Sequence, residues 1–385
     1  MAERAWAVLR LWRRLGWWLA LAGGHPTPRL LAAASLLFES WDLGGLHKIF
    51  SGGQYAPASL LDVEAAVLRK VDRHTLEHPE MPLAVRLEIP NWILPALEAR
   101  FGIALEPEMR AALDPAPLDL RVNLLKTTRE AAAMALDAEG LASAPTPLSP
   151  WGLRIDGRRA VTTGAAFQSG LVEIQDEGSQ LLAALVGATP EMRVADYCAG
   201  AGGKTLALAM QMENRGHLVA CDVSAPRLDG AVRRLRRAGV HNAERHLLEV
   251  GDKWAKRRAG SFDRVLVDAP CTGTGTWRRN PDARMRLTQR TLEELLPKQA
   301  SILDAAARLV RPGGRLVFAT CSLLNEENDR QVEAFLQRAP EFRLIPLEQA
   351  WTLEGAPPNS GPFLSLTPLR HRTDGFFGAV LERAP

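Results

Sequence analysis

Residues 263–275 read Asp-Arg-Val-Leu-Val-Asp-Ala-Pro-Cys-Thr-Gly-Thr-Gly. The short apolar run 265–267 predicts a strand that is buried on both faces of a parallel sheet. The run ends on the carboxylate of Asp268, and a rigid Ala-Pro then leads to the thiol of Cys271 and to glycines that let the backbone turn sharply. Ligands of open α/β sheets bind outside the carboxyl ends of the strands. The acid and the thiol are therefore placed for chemistry, or they form an ordinary strand-to-loop corner with a buried cysteine.

Residues 312–322 repeat this pattern and read Pro-Gly-Gly-Arg-Leu-Val-Phe-Ala-Thr-Cys-Ser. A turn again leads into an apolar strand, which is followed by the thiol of Cys321. Between the two stretches, residues 292–310 carry apolar side chains at helical spacing. A strand, a crossover helix and a second strand form a βαβ unit, whose strands run parallel. If these strands are neighbours, Cys271 and Cys321 lie at the same edge of the sheet, a placement that two structural cysteines would not need.

The rest of the chain divides by pattern into three predicted domains, as a length of 385 residues allows. Residues 1–117 show mostly helical periodicity and predict a helical N-terminal domain. Residues 118–187 alternate between strand and helix patterns around several prolines and predict a small α+β domain. Residues 188–385 alternate regularly between strand and helix, with residues 245–250 as the third strand. This last region predicts an α/β fold with a Rossmann-like, doubly wound sheet.

The net charge of +3 is mild, but it is unevenly distributed. Residues 225–290 contain 16 lysines and arginines against 7 acids, an excess of nine, whereas residues 1–118 contain 12 against 13. The basic excess surrounds the predicted site, so an anionic polymer is a natural partner. A solvated charged face is the alternative that charge alone favours.

The four cysteines, at positions 198, 221, 271 and 321, all fall at predicted strand ends. Their placement indicates a reducing, cytoplasmic environment, and their spacing does not suit a metal site. An apolar run at 15–24 follows Arg13 and Arg14 and faintly resembles a signal peptide. The run is too short to span a bilayer. We interpret it as an amphipathic packing helix and expect no membrane partner.

The loop at residues 196–205 reads Asp-Tyr-Cys-Ala-Gly-Ala-Gly-Gly-Lys-Thr and predicts a cofactor site, because glycines let the backbone approach a ligand at a helix N-terminus. A phosphate-binding loop does not fit, since Cys198 occupies the place of its first glycine. The dinucleotide fingerprint lacks its third glycine. The remaining interpretation is S-adenosylmethionine, with Asp196 near its methionine part and Asp222, at the end of the next strand, accepting the ribose hydroxyls.

These motifs resemble those of the RsmB/Sun family of bacterial RNA (cytosine-5) methyltransferases. The resemblance runs from about residue 120 to the C-terminus and rests on two cysteine motifs in the family's order. The matching segments are 196–205, 268–275, 278–282, 312–314, 320–322 with Glu327 and Asn328 after it, and 373–377. The cofactor loop departs from the family at Gly200 and Ala201, where Ala-Pro is common. Segments 67–69 and 90–92 resemble the family's NusB-like RNA-binding domain, in a shortened and diverged form.

The resemblance implies an enzyme that transfers a methyl group from S-adenosylmethionine to carbon 5 of a cytosine in RNA, with 16S ribosomal RNA as the substrate. The transfer passes through a covalent Cys–cytosine intermediate, in which Cys321 is the nucleophile and Cys271 assists product release. By the same resemblance, Asp268 protonates or hydrogen-bonds the cytosine edge, and Lys204 orients Asp268. The residues implied to contact the cofactor are Asp196, Cys198, Ala199, Gly200, Ala201, Gly202, Gly203, Lys204, Asp222, Asp252 and Asp268.

The residues alone leave open which thiol attacks, because both sit at strand ends among basic groups that can lower a thiol pKa. Cys198 and Cys221 are interpreted as structural. The target base has to leave its stack to reach a buried thiol, so a flexible or single-stranded RNA site is expected. The candidates for phosphate contact are Arg233, Arg234, Arg236, Arg237, Arg257, Arg258, Arg278 and Arg279.

Two other functions compete with ribosomal RNA methylation. A transfer-RNA cytosine-5 methyltransferase shares the same core. A non-catalytic RNA-binding or assembly factor can keep the fold, but the intact Cys271, Cys321 and Asp268 argue against it. A DNA cytosine methyltransferase would not need the second cysteine motif, and an amino methyltransferase would carry Pro-Pro-aromatic after Asp268. We expect the protein to act as a monomer.

Overall fold

The chain folds, in a computed structural model that describes residues 2–157, 159–249 and 251–385, into two compact units. One unit holds the chain up to Asp114 together with Trp277–Leu287, and the other holds Pro115–Thr276 and Thr288–Pro385. The segment Trp277–Leu287 therefore groups with the N-terminal part of the chain, although the sequence predicted it within the domain 188–385.

The first unit is helical, as the sequence predicted. Its α-helices are Ala2–Arg10, Trp12–Leu21, Pro28–Leu37, Leu43–Ile49, Asp62–Val71, Leu83–Arg86, Leu94–Phe101, Leu105–Ala111 and Pro281–Arg286. Leu15, Trp18 and Leu19 are buried in its core, so the apolar run near the N-terminus packs inside this unit. Thr27 begins the third helix, where its side-chain oxygen accepts a hydrogen bond from the backbone. Within the described residues, no helix combines the length and the apolar character that crossing a bilayer requires.

The segment Trp277–Leu287 is anchored in this unit by buried side chains. Trp277 is 1% exposed, and the Arg284 guanidinium lies 5.1 Å from the centre of its ring. Nη2 of Arg284 donates to the carbonyl oxygen of Ala112 at 2.6 Å, and Nη2 of Arg10 donates to the carbonyl oxygen of Arg278 at 2.7 Å. These contacts explain why a segment that directly follows the Cys271 loop in sequence belongs to the helical unit.

The second unit contains two sheets. Its strands are β1 Leu118–Val122, β2 Ser143–Pro145, β3 Gly152–Ile155, β4 Val172–Ile174, β5 Arg193–Asp196, β6 His217–Asp222, β7 Ala243–Leu247, β8 Phe262–Asp268, β9 Val310–Thr320, β10 Phe342–Ile345, β11 Leu364–Leu366 and β12 Phe376–Arg383. Its α-helices are Arg129–Ala138, Ala165–Gln168, Glu177–Leu185, Gly203–Gln211, Ala225–Ala238, Trp254–Arg257, Gln289–Ala307, Asp329–Arg338, Leu347–Ala350 and Pro368–His371.

The smaller sheet is antiparallel, with strand order β2-β3-β1-β4. The helix Arg129–Ala138 packs on it through Ala132 and Leu136, which are fully buried with Leu120 and Leu153. This confirms the small α+β region of the sequence prediction. The helix Glu177–Leu185 does not belong to it, because its apolar face lies in the core of the larger sheet.

The larger sheet has the order β10-β12-β9-β8-β5-β6-β7, with β11 paired to β12. Strands β5 to β9 pair in parallel, and β10, β11 and β12 pair antiparallel at one side. The predicted neighbours β8 and β9 are adjacent and parallel, which confirms the βαβ unit. The predicted third strand, 245–250, lies at Ala243–Leu247 instead, and Val250 falls outside the described residues.

Candidate active site

The carboxyl ends of β8 and β9 bring the two thiols of the cysteine motifs together. The two strands pair in parallel up to Asp268 and Ala319, so the loops that follow leave the sheet at the same edge. The Sγ atoms of Cys271 and Cys321 lie 3.4 Å apart. Sheet register therefore places both thiols where one small ligand can meet them.

The surroundings of Cys271 keep its thiol protonated. Its pKa lies well above the ordinary value, first because it hydrogen-bonds Cys321, then because it is buried, and then because the charges of Cys321 and Glu327 oppose ionisation. The Cys271 thiol thus keeps its proton, and it lies within hydrogen-bond distance of the Sγ atom of Cys321.

A lysine–aspartate pair lies on the same sheet edge. Nζ of Lys204, in the first turn of the helix Gly203–Gln211, lies 2.5 Å from Oδ2 of Asp268. The Lys204 side chain is only 10% exposed, whereas that of Asp268 is 31% exposed. Burial opposes the charge of Lys204, but Asp268, Asp196 and Cys321 together raise its pKa above the ordinary value. Lys204 is accordingly a buried cation that is paired with Asp268.

Asp196, at the end of β5, bonds to the far end of the cofactor loop 196–205. It is 1% exposed, and its Oδ2 accepts a hydrogen bond from the Thr205 hydroxyl at 2.7 Å. Burial raises its pKa to about 7. Its Oδ1 is buried and has no partner among the described residues.

A third loop, which contains Gly375, packs against the two thiol loops through close glycine contacts. The backbone N of Gly275 donates to the carbonyl oxygen of Cys321 at 2.9 Å, and the N of Gly375 donates to the carbonyl oxygen of Gly275 at 2.8 Å. A Cβ added to Gly275 would lie 2.1 Å from the carbonyl oxygen of Gly375, so this close approach of the two loops requires glycine. It gives a physical reason for the glycines in segments 268–275 and 373–377.

A cavity of about 530 Å³ opens beside these loops. Its lining residues are Tyr197, Cys198, Ala199, Gly200, Asp222, Val223, Arg227, Leu248, Glu249, Asp268, Pro270, Lys298, Ser301, Ile302 and Ala305. Asp222 is held in place because its Oδ2 accepts from the N of Gly200 and its Oδ1 from the N of Ser224, both at 2.8 Å. Gly200 and Gly202 have φ values of 55° and 80°, which favour glycine.

This cavity fits a nucleoside that bears a charged methionine tail. Val223, Leu248 and Ile302 offer apolar surface to a flat base, and the Asp222 carboxylate offers acceptors to ribose hydroxyls. Its cations, Arg227 and Lys298, offer donors to a carboxylate. The donor and acceptor set therefore suits S-adenosylmethionine.

The cavity includes only some of the residues that the sequence analysis proposed for the cofactor. Cys198, Ala199, Gly200, Asp222 and Asp268 line it. The proposed residues that lie outside its lining are Asp196, Ala201, Gly202, Gly203, Lys204 and Asp252.

Asp252 lines a separate cleft of about 890 Å³. Its Oδ2 lies 2.5 Å from Nε2 of His246, and its Oδ1 accepts from the N of Trp254 at 2.7 Å. Glu249, which sequence reasoning missed, lines the cofactor cavity, as do Lys298 and Ser301 from the crossover helix. The i, i+3 spacing of Lys298 and Ser301 is a signal that could have indicated them.

The arginines proposed for phosphate contact divide by exposure. Arg233, Arg236 and Arg257 are exposed. Arg237 pairs with Glu173 at 2.5 Å and covers the ring of Phe167 at 3.7 Å. The arginines at 234, 258 and 279 are half-buried, and the one at 278 is 5% exposed in the helical unit. The exposed members offer the most accessible surface to RNA phosphates.

Comparisons with known proteins agree with this architecture. Residues 183–382 match the family model described as 16S rRNA methyltransferase RsmB/F, and residues 89–162 match the ferredoxin-like domain of RsmF/B-like methyltransferases. The chain is 35% identical over 316 residues to the probable ribosomal RNA small subunit methyltransferase B of Synechocystis sp., covering 81% of this chain and 70% of the relative. It is 39% identical over 276 residues to the ribosomal RNA small subunit methyltransferase B of Xylella fastidiosa, covering 71% and 63%. The chain thus spans 63% to 70% of the length of these two relatives.

Solved structures share the fold. The crystal structure of PH0851 is 27% identical, with a TM-score of 0.81 over 99% of this chain and 89% of that one. A methyltransferase homolog protein from Pyrococcus horikoshii is also 27% identical, with a TM-score of 0.67 over 78% of this chain and 97% of that one.

Proposed function

Because this chain belongs to the RsmB/F family of 16S rRNA methyltransferases, we propose that it methylates carbon 5 of a cytosine in 16S ribosomal RNA through a covalent bond between Cys321 and the base. Family membership makes it an RNA methyltransferase that uses S-adenosylmethionine. The observation that carries the finer proposal is the 3.4 Å separation of Cys271 and Cys321 beside the Lys204–Asp268 pair.

The cofactor supplies an electrophilic methyl group when it is bound. Among the residues that line the cavity, Asp222 would accept hydrogen bonds from its ribose, and Val223 and Ile302 would offer apolar surface to its adenine. Asp268 lines the cavity and also lies at the end of β8 beside the thiols, so the cofactor cavity and the thiol site share a wall.

Carbon 5 of cytosine is a poor nucleophile, and a thiolate at carbon 6 changes that. The Sγ atom of Cys321 forms a bond to carbon 6, which gives carbon 5 the electron pair that takes the methyl group. A base then removes the proton on carbon 5, the bond between carbon 6 and sulfur breaks, and the thiolate leaves. The assignment of the attack to Cys321 follows the family resemblance, and it is supported by the raised pKa of the neighbouring Cys271 thiol and by the buried Lys204 cation, whose pKa is raised in part by Cys321.

We propose that Asp268 contacts the cytosine ring. Its carboxyl is partly exposed at the end of β8, and we propose that it accepts a hydrogen bond from the exocyclic amine of cytosine and, once the ring takes up a proton at N3 during thiolate addition, from N3 as well. Lys204 is less exposed and holds Oδ2 of Asp268, which leaves Oδ1 for the base. Cys271 keeps its proton and is available when the sulfur of Cys321 is expelled.

Transfer of a labelled methyl group to purified 16S and transfer RNA, followed by nucleoside analysis, tests this proposal. We expect 5-methylcytidine in 16S RNA and background label in transfer RNA. Bisulfite mapping of RNA from a deletion strain should then show one 16S cytosine that loses its protection. Label at another atom would refute the carbon-5 chemistry. Label confined to transfer RNA would show that transfer RNA, and not 16S RNA, is the substrate.

A further inference from the structure

Glu327 is a fully buried carboxylate that the proposed chemistry does not use. It follows Cys321 by six residues and precedes the helix Asp329–Arg338. Its hydrogen bonds go to the residues that directly follow each thiol, so it lies between the two thiol loops.

Both oxygens of Glu327 accept hydrogen bonds from the Cys271 loop. Oε1 accepts from the backbone N of Thr272 at 2.8 Å, and Oε2 accepts from the Thr272 hydroxyl. Oε2 also accepts from the hydroxyl of Ser322, the residue after Cys321. One carboxylate therefore bridges the two loops.

A fourth donor comes from the crossover helix Gln289–Ala307. Nε2 of the fully buried Gln299 donates to Oε1 of Glu327 at 2.9 Å and to the carbonyl oxygen of Pro270 at 3.0 Å. Pro270 directly precedes Cys271, so the Cys271 loop is held on both sides of its thiol.

This arrangement requires a carboxylate rather than an amide. An ionised carboxylate only accepts hydrogen bonds and has about four lone-pair sites, and four donors point at Glu327. A glutamine at this position would turn N–H groups toward other donors, and it would leave buried polar groups without partners.

We propose that Glu327 is a positioning residue that couples the Cys271 loop to the Cys321 loop and fixes the spacing of the two thiols. The proposal rests on the proposed function only in assuming that both thiols serve one base. Glu327 itself does not touch the substrate.

The spacing can be measured on the protein alone with phenylarsine oxide, a trivalent arsenical that binds two close thiols at once. The Cys271→Ala variant keeps Cys198 and Cys221 and so measures binding that does not involve the pair. We expect Glu327→Gln to bind the arsenical at least tenfold more weakly than the unsubstituted protein and to approach the Cys271→Ala value. Glu327→Asp keeps the charge and should recover part of the affinity.

Glu177→Gln is the matched control. Glu177 is a fully buried carboxylate of the same unit that accepts hydrogen bonds from the N atoms of Leu148 and Ser149 and touches neither thiol loop. It should leave the arsenical affinity within twofold. If Glu327→Gln does not fold, Thr272→Val removes one hydroxyl donor, and it should weaken binding severalfold. A folded Glu327→Gln, or in its place Thr272→Val, with unchanged affinity would overturn the proposal.

Turnover separates this proposal from the proposed function. With RNA and S-adenosylmethionine, Glu327→Gln should lower kcat at least tenfold while its affinity for S-adenosylmethionine stays within twofold. If the arsenical result holds but no variant forms a covalent RNA complex, the covalent chemistry fails and the coupling of the loops stands. If the covalent complex accumulates in Cys271→Ala while Glu327→Gln keeps both arsenical affinity and kcat, the coupling fails and the chemistry stands.

Discussion

The Sγ atoms of Cys271 and Cys321 lie 3.4 Å apart although 50 positions separate the two residues in the sequence. Parallel pairing of β8 and β9 produces this proximity, because it sends both following loops out of the same sheet edge. The two thiols do not have equivalent surroundings, since Cys271 is held protonated next to Glu327. The two thiols lie side by side but in different environments, and this difference is the physical basis for the two different roles that we propose.

Replacing Asp222 with alanine should weaken S-adenosylmethionine binding by 10- to 100-fold, since hydrogen bonds to a charged group contribute about 1.5–3 kcal/mol. The variant removes the acceptor for the ribose and also frees the N of Gly200. Isothermal titration calorimetry measures the change. Asp229→Ala, an exposed acid on the next helix, is the control and should bind normally. Equal affinities in the two variants would remove Asp222 from the cofactor site.

The exposed arginines should bind RNA mainly through phosphates, so affinity should fall as salt rises. Removing Arg233 and Arg236 together should reduce the slope of log affinity against log salt by about 1–2, because each phosphate contact on single-stranded RNA contributes about 0.7. Fluorescence anisotropy over a salt series measures this slope. Arg343→Ala, an exposed arginine paired with Glu382, should not change it. A flat response in the unsubstituted protein would make the basic surface a solvated face only.

Asp196 should make the free energy of unfolding fall as pH rises from about 4 to 7. Its pKa is raised to about 7 in the folded state, against about 3.9 in an unfolded chain. Between these values the folded state holds the extra proton, so stability is fully present below the unfolded pKa and is lost as pH rises, by at most about 1.4 kcal/mol per pH unit. Urea denaturation of the unsubstituted protein and of Asp196→Asn checks this. Between about pH 4 and 7 the unfolding free energy of the unsubstituted protein should fall more steeply with pH than that of Asp196→Asn. Equal slopes in the two proteins would mean that Asp196 is ionised throughout this range.

The sequence was sufficient for the features that depend on local pattern. Apolar runs that end on Asp268 and Thr320 indicated two parallel strands, and their loops indicated the thiol pair. The sequence did not reveal contacts between distant segments. Arg237, a predicted phosphate contact, pairs with Glu173, 64 positions away, and the sequence pattern gave no sign of this pair. Asp252 occupies a different cleft because the loop after β7 turns its carboxylate toward His246. The role of Glu327 appears only once the loops are folded.

The segment Trp277–Leu287 shows a further limit of reading the sequence in order. Its arginines follow the Cys271 motif directly, and their charge indicated a phosphate-binding surface. In the fold, Arg278 and Arg284 are buried in the helical unit. Charge in the sequence therefore does not by itself predict exposure, because distant segments of the same unit can bury an arginine.

The central claim is that Cys321 attacks the base and Cys271 acts at release. Denaturing gels of the two alanine variants, each incubated with substrate RNA and S-adenosylmethionine, test it most directly. Cys321→Ala should form no covalent complex and no product. Cys271→Ala should still attack and methylate but fail to expel the sulfur, so a protein–RNA complex that resists denaturant should accumulate. A covalent complex with Cys321→Ala and none with Cys271→Ala would contradict the account and reverse the two roles.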